Sequence, residues 1–322
     1  MKLGLGFAMA NVTDDNLRAA AQLGVTHAFV NHADVGDGHF EFDQLLRLRH
    51  RVEHLGLQLE GLENFPRPWW EDVLTAGPRR DEQIDGVCRS IDNMGRAGIH
   101  VLGYCFSILS VWGHWRAYDA GGGRGNAGLK SFDYSKVEQA PPHPAGPVSV
   151  DEMWERFHYF LERVIPVAES ADVRLAAHQD DPPAESLRGI GRLLTSHDAM
   201  QKLLDLVPSH HNGLEFCQGT VAEMGPDRAV DAVRRFADQN KIVYVHFRNV
   251  RGAFPVFDEV FHDEGDVDML EAMLAYKQAG FDGVMTPDHS PRVTGDAGMS
   301  LRGRGFALGY MRGLMQAAER FG

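Results

Sequence analysis

The chain has 322 residues, 43% of them hydrophobic and 24% charged, a globular composition that excludes a largely disordered or collagen-like protein. Its 45 Asp and Glu outnumber 32 Lys and Arg, and the formal charge of −13 repels phosphate backbones and anionic membranes, so no nucleic-acid partner is expected. Residues Met1 to Phe7 lack the charged start and long apolar run of a secretory signal, and no stretch reaches the roughly 18 apolar residues of a membrane helix, which makes the cytoplasm the expected location and a membrane no partner.

In chain order, short β-rich runs alternate with segments of helical period, with no linker or composition break between them. Strands are predicted over 3–7, 26–30, 57–62, 100–104, 174–178, 213–217, 242–247 and 283–286, each followed by helix. Gly24, Gly98 and Gly280 read as helix ends, where a left-handed residue costs little. Ser149-Val150-Asp151-Glu152 is a capping-box pattern, and it opens a helix with Trp154, Phe157, Phe160, Leu161 and Val164 on one face. Eight parallel strands joined by right-handed helical crossovers close into a (β/α)₈ barrel, read as one domain over residues 1–322.

Residues 105–147 interrupt this rhythm with Gly121-Gly122-Gly123, Pro141-Pro142 and the aromatics Trp112, Trp115 and Tyr118. They form a long loop after the fourth strand. Loops after barrel strands build the catalytic face, so the expectation is an insertion that covers or lines an active site.

Candidate ligands gather where the last four strands end. The fifth strand runs into His178 before Gln179-Asp180-Asp181-Pro182-Pro183 stops it, the sixth ends at Cys217, the seventh carries His246, and the eighth ends in Pro287-Asp288-His289. Cys88, Cys105 and Cys217 are odd in number and far apart, so no disulfide framework is expected and each is a buried thiol or a ligand. Singly, a barrel histidine is more often a hydrogen-bonded core residue and a cysteine a small hydrophobe. Together, His178, Cys217, His246 and Asp288 bring two imidazoles, a thiolate and a carboxylate to one place, a set suited to Mn²⁺, Fe²⁺, Co²⁺ or Zn²⁺, with softness alone favouring zinc.

At these residues the sequence resembles the mannonate dehydratases. His178-Gln179-Asp180-Asp181-Pro182-Pro183 is similar to their His-Pro-Asp-Asp-Pro-Pro signature, and the stretches Gly213 to Gly219, Val245 to Val250 and Gly265 to Met269 resemble three further family blocks, with Pro287-Asp288-His289 closing the series. The resemblance implies a xylose isomerase-like barrel that uses a divalent metal, usually manganese, to dehydrate D-mannonate to 2-keto-3-deoxygluconate. It implies His178, Cys217, His246 and Asp288 as ligands, His289 as an acid/base group, and Arg248, Asn249, Asp180 and Asp181 as residues that hold the substrate or the ligands. The alternative for Arg248 is a surface ion pair.

The departures fall on substrate-facing segments. Gly6-Phe7-Ala8-Met9 stands where the family has Trp-Tyr-Gly; of Asp-Trp-Thr-Arg-Thr only Trp112 remains, with His114 near the arginine's place; Thr286 replaces an arginine. The tyrosine-bearing segment reads Arg302-Gly303-Arg304-Gly305, so the second acid/base group is sought among Tyr310, Arg304 and His262. The metal set is spared, which keeps dehydration of a sugar acid as the first expectation. A metal-dependent sugar isomerase or epimerase is the alternative, and a non-catalytic sugar-acid-binding homologue the third. A homo-oligomer, a dimer, is expected from the resemblance alone.

Overall fold

A computed structural model describes residues 1–113 and 115–322, and of residues 115–120 the backbone only. From β1 (Lys2–Ala8) the chain passes through α1 (Asp14–Gln22), β2 (His27–Asn31), α2 (Phe42–His54), β3 (Gln58–Glu63), α3 (Glu71–Thr75) and α4 (Arg80–Arg96) to β4 (Val101–Tyr104). It then leaves the barrel for β5 (Trp115–Gly122), β6 (Gly128–Asp133) and one helical turn, α5 (Tyr134–Val137), and returns by α6 (Val150–Ala171) to β7 (Arg174–His178). A small hairpin, β8 (Ser186–Leu187) and β9 (Ile190–Gly191), precedes α7 (His197–Leu206), β10 (Asn212–Cys217), α8 (Gln218–Glu223), α9 (Asp227–Ala237) and β11 (Ile242–His246). The chain ends through β12 (Asn249–Ala253), β13 (Val256–Val260), α10 (Met269–Gln278), β14 (Val284–Thr286) and α11 (Leu301–Phe321).

The barrel is closed and parallel in the order β1-β14-β11-β10-β7-β4-β3-β2. The expected strands are the observed ones with ends shifted by a residue or two, and the expected glycines end their helices, with φ of +89° at Gly24, +70° at Gly98 and +72° at Gly280. The capping box forms as read: Glu152 N–H donates to Ser149 Oγ at 3.2 Å and Ser149 N–H to Glu152 Oε2 at 2.8 Å. Downstream of it Trp154, Phe157, Phe160, Leu161 and Val164 are buried, and Phe157 stacks on Phe106 at 4.3 Å, which docks α6 against the end of β4. No helix among the described residues is long and apolar enough to cross a membrane.

Two features depart from a plain barrel. The excursion after β4 contributes two strands to a second sheet: β5 and β6 join β12 and β13 in a four-stranded sheet of order β12-β13-β6-β5. The seventh barrel strand leads first to the β12–β13 hairpin of that sheet and only then to α10, a step that periodicity did not suggest.

Inside the barrel, Phe29, Val101, Ala176, Val243, Tyr244 and Val284 form a packed layer of their own, with Phe29 and Tyr244 stacked at 4.2 Å. Alternation along a strand repeats every second residue. Ala176 in this layer therefore shares its face with His178, and Tyr244 with His246. The layer is a floor beneath the carboxyl-terminal ends.

Candidate active site

Strand register brings the expected ligands together. Glu215 pairs with His178 across β10 and β7, and Cys217 with His246 across β10 and β11. The ligand atoms of His178, Cys217 and His246 all lie within 4.8 Å of one another, and the two imidazole rings are 5.6 Å apart. Asp288 closes the group from the end of β14, with Oδ2 3.5 Å from His246 Nδ1. Its φ of +52° lies in the left-handed region, a conformation that costs a non-glycine residue energy and that clusters at functional sites. The turn separates Asp288 from His289, whose Nδ1 is 2.8 Å from Glu259 Oε2.

Protonation states follow from this crowding. Burial alone would raise the Cys217 thiol, yet Arg248, His178 and His246 hold it well below its ordinary value, which favours the thiolate. Burial would lower His178, but Glu215 and the thiolate push it up to about 10. Asp288, despite burial, is held far below the usual carboxylate range by His289, His246 and Arg248.

A divalent cation fits these residues. His246 Nδ1 is buried without a hydrogen-bond partner among the described residues, beside a thiolate and an ionised carboxylate. His178 donates its Nδ1–H to the Gln179 carbonyl at 2.5 Å, which leaves Nε2 for a ligand bond, and Cys217 N–H donates to Gln179 Oε1 at 2.8 Å. Binding a cation to such a set displaces protons from the imidazoles.

Residues the sequence reading missed stand behind these donors. Glu215 Oε1 is 3.2 Å and Glu63 Oε2 3.4 Å from His246 Nε2, Tyr244 Oη donates to Glu63 Oε2 at 3.3 Å, and Asn31 Nδ2 to Glu63 Oε1 at 2.6 Å. Burial and the Glu63 charge push Glu215 up to about 8. A side chain at Gly103 would strike the Tyr244 hydroxyl and the Glu215 carboxylate, so glycine there makes room for both. Strand alternation carried the signal for Glu215, two residues before Cys217 on the same face.

Arg248 is not a surface ion pair. It is 2% exposed, with Nη2 2.6 Å from Asp181 Oδ2, Nη1 2.9 Å from Glu223 Oε1 and 3.6 Å from Glu259 Oε1, and Nε 3.2 Å from Asp288 Oδ2. Any side chain at Gly219 would collide with it. Asp181 thus joins the group through Arg248. Asp180 instead faces Arg192, Oδ1 to Nε 2.9 Å, and accepts from the Leu193 and Leu194 amides at 2.8 and 2.9 Å, which secures the loop after β7. Asn249 spends its amide on backbone, donating to the His262 and Val267 carbonyls and accepting from the Val250 and Val267 amides. Tyr310 stacks on Phe306 at 6.3 Å and meets none of the cluster's side chains among the described residues. His114 lies outside the described residues, as do the side chains of Trp115 and Tyr118. From the excursion comes a residue not foreseen: Lys130 on β6, whose Nζ is 2.9 and 3.0 Å from the two ring nitrogens of His289.

The D-mannonate dehydratase (UxuA) family model matches this chain over residues 5–144 and 145–321. The mannonate dehydratase of Streptococcus pneumoniae is 31% identical over 310 residues, 86% of this chain and 83% of that one, and the Thermotoga maritima enzyme of the same name is 29% identical over 315 residues, 87% and 86%. Among solved structures, the mannonate dehydratase from Streptococcus suis serotype2 superposes with a TM-score of 0.87 at 28% identity, covering 99% of this chain and 95% of that one. A D-psicose 3-epimerase from Clostridium cellulolyticum H10, bound to D-tagatose, gives 0.67 at 15% identity over 98% and 99%, a likeness of fold alone.

Proposed function

Because the chain belongs to the mannonate dehydratase family, we propose that it is a hydro-lyase that removes water from a sugar acid, D-mannonate or a closely related aldonate, to give the 2-keto-3-deoxy acid. The observation that carries this reading is the convergence of His178, Cys217 and His246, with Asp288 and His289 at the edge of the group.

His178, Cys217, His246 and Asp288 would hold a divalent metal, manganese by the family resemblance, with Fe²⁺, Co²⁺ and Zn²⁺ acceptable to the same donors. A metal there supplies Lewis-acid stabilisation of the negative charge that grows on the substrate's carboxylate as its α-proton leaves. Glu215 and Glu63, 3.2 and 3.4 Å from His246 Nε2, hold that side of the ring and so orient its Nδ1. His289 takes the C2 proton: its Nδ1–H donates to Glu259, which leaves the lone pair on Nε2. The electron pair of the C2–H bond becomes the C2=C3 bond, the C3–O bond breaks, and the hydroxyl departs as water on taking a proton from a second acid. The enol then tautomerises to the ketone. Arg248 keeps Asp181, Glu223, Glu259 and Asp288 together and so shapes the wall of the site. Residues 105–147 serve as its cover, through the contact of Lys130 with His289.

The test is an assay for 2-keto-3-deoxy products over a panel of aldonic acids, with the protein stripped and reloaded with Mn²⁺, Co²⁺, Fe²⁺ or Zn²⁺. Metal-dependent product from at least one aldonate is expected. Interconversion of sugars or sugar acids without loss of water would replace this reading with the isomerase one.

A further inference from the structure

An anionic sugar acid meets a wall that is already rich in acidic side chains. Asp181, Glu223, Glu259 and Asp288 surround Arg248, while Glu63 and Glu215 stand behind His246. Arg248, expected from the sequence to grip the substrate, turns Nε, Nη1 and Nη2 toward those carboxylates from a fully buried position. Its charge is already matched within the protein. An entering carboxylate that loses its water in such surroundings needs another fixed cation beside the ligand cluster.

Lys130 occupies that position. The antiparallel pairing of β6 with β13 sets it directly across from Glu259, and that register holds its stem over the barrel end although 105–147 departs from the barrel. Its Nζ lies against the His289 ring, 2.9 and 3.0 Å from the two ring nitrogens, and its charge also acts on the Glu259 and Asp288 carboxylates. The Glu259 carboxylate across from it is divided between His289, at 2.8 Å, and Arg248, at 3.6 Å. Lys130 is only half-buried, so an incoming anion can reach its ammonium and form a charge-assisted hydrogen bond there.

We propose that Lys130 determines specificity for an acid: its ammonium exchanges the His289 ring for the carboxylate of the substrate, and in doing so frees His289 Nε2 to face C2. This rests on the aldonate reading above and adds to it the group that distinguishes an acid from a neutral sugar.

The experiment compares parent, Lys130→Met and Lys130→Arg, all loaded with Mn²⁺, in calorimetric titrations with D-mannonate and D-gluconate, alongside metal content, thermal stability and, where there is turnover, kcat and KM. A charge-assisted hydrogen bond is worth about 10- to 100-fold in affinity. Lys130→Met is expected to weaken aldonate binding and raise KM by roughly that factor at unchanged metal content and melting temperature, and Lys130→Arg to recover most of it. Aldonate binding by Lys130→Met within twofold of the parent overturns the assignment, and so does a loss of binding that follows loss of metal or of stability. A parent that binds an aldonate but releases no keto-deoxy acid removes the dehydration reading while the Lys130 titration still decides its own question; a parent that binds neither acid overturns both.

Discussion

Glu215 stands 3.2 Å behind His246, at the Nε2 of a ring whose Nδ1 faces Asp288 3.5 Å away. A carboxylate on the far nitrogen fixes the tautomer and raises the basicity of the near one, and losing such a partner typically costs 10- to 100-fold in metal affinity. Glu215→Gln should therefore bind Mn²⁺ more weakly by about that factor, whereas Cys217→Ser and His246→Ala, which remove donors outright, should lose more. Equilibrium titration against a fluorescent chelator reads this without any substrate. Parental metal affinity in both Cys217→Ser and His246→Ala would show that the ion, if bound, sits elsewhere.

His178, Cys217, His246 and Asp288 were legible in the sequence because each ends an apolar run at the barrel face that carries function. Glu63 was not, since a carboxylate inside a strand reads as an outward residue until the barrel closes around it, and Glu215 was passed over although alternation puts it on the face of Cys217. Arg248 and Asn249 were expected to hold the substrate or the ligands on the strength of the family resemblance, with the seventh strand read through 247. The strand ends at His246 and a new one opens at Asn249, so alternation does not carry across Phe247 and Arg248, and their side chains face carboxylates and backbone. Lys130 was hidden for another reason. Its neighbours Glu259 and His289 come from strand pairing and a barrel end far along the chain, contacts that no local pattern encodes.

Arg248 should matter to the fold as well as to activity. Burial and the neighbouring Asp181 raise Glu223 well above its ordinary value, whereas Asp288 and Glu259 are held below theirs, and Arg248 is within ion-pair reach of both. Breaking a buried charge network by removing one partner costs about 3–5 kcal/mol. Arg248→Met should lose on the order of that much in urea unfolding, and Arg248→Lys less, because it keeps the charge while giving up the fork. Unchanged stability in Arg248→Met together with a large rise in KM would return the side chain to direct contact with substrate.

The stability of the chain should also fall between roughly pH 6.5 and 4 through His262, in addition to whatever the carboxylates contribute. Burial holds its imidazole down to about 4, so in this interval the unfolded chain takes up a proton that the folded chain refuses. The unfolded state then binds more protons and stability rises with pH; the contribution is complete above the unfolded value and is lost as pH drops toward 4. Denaturant titrations at pH 7 and pH 5 on metal-free protein measure it. His262→Gln should show a smaller difference between the two pH values than the parent, and an identical difference would mean that the histidine is protonated in the fold.

His289 is expected to carry the proton transfer. It sits beside Asp288 in sequence, but the left-handed turn at Asp288 lets the carboxylate face His246 while the imidazole leans toward Glu259 and Lys130. The competing role is mechanical, since His289 Nε2 also lies 3.5 Å from Asp288 Oδ1 and orienting that carboxylate would serve the metal alone. The two roles part on substitution. As an acid/base group, His289→Asn should fold, hold its metal with parental affinity and bind the aldonate, yet turn over about 10²- to 10⁴-fold more slowly. As an orienting group it should lose metal and activity in step. Turnover near the parental rate with metal retained would leave the C2 proton to another residue, and Lys130, 2.9 Å away, would then be the first to replace.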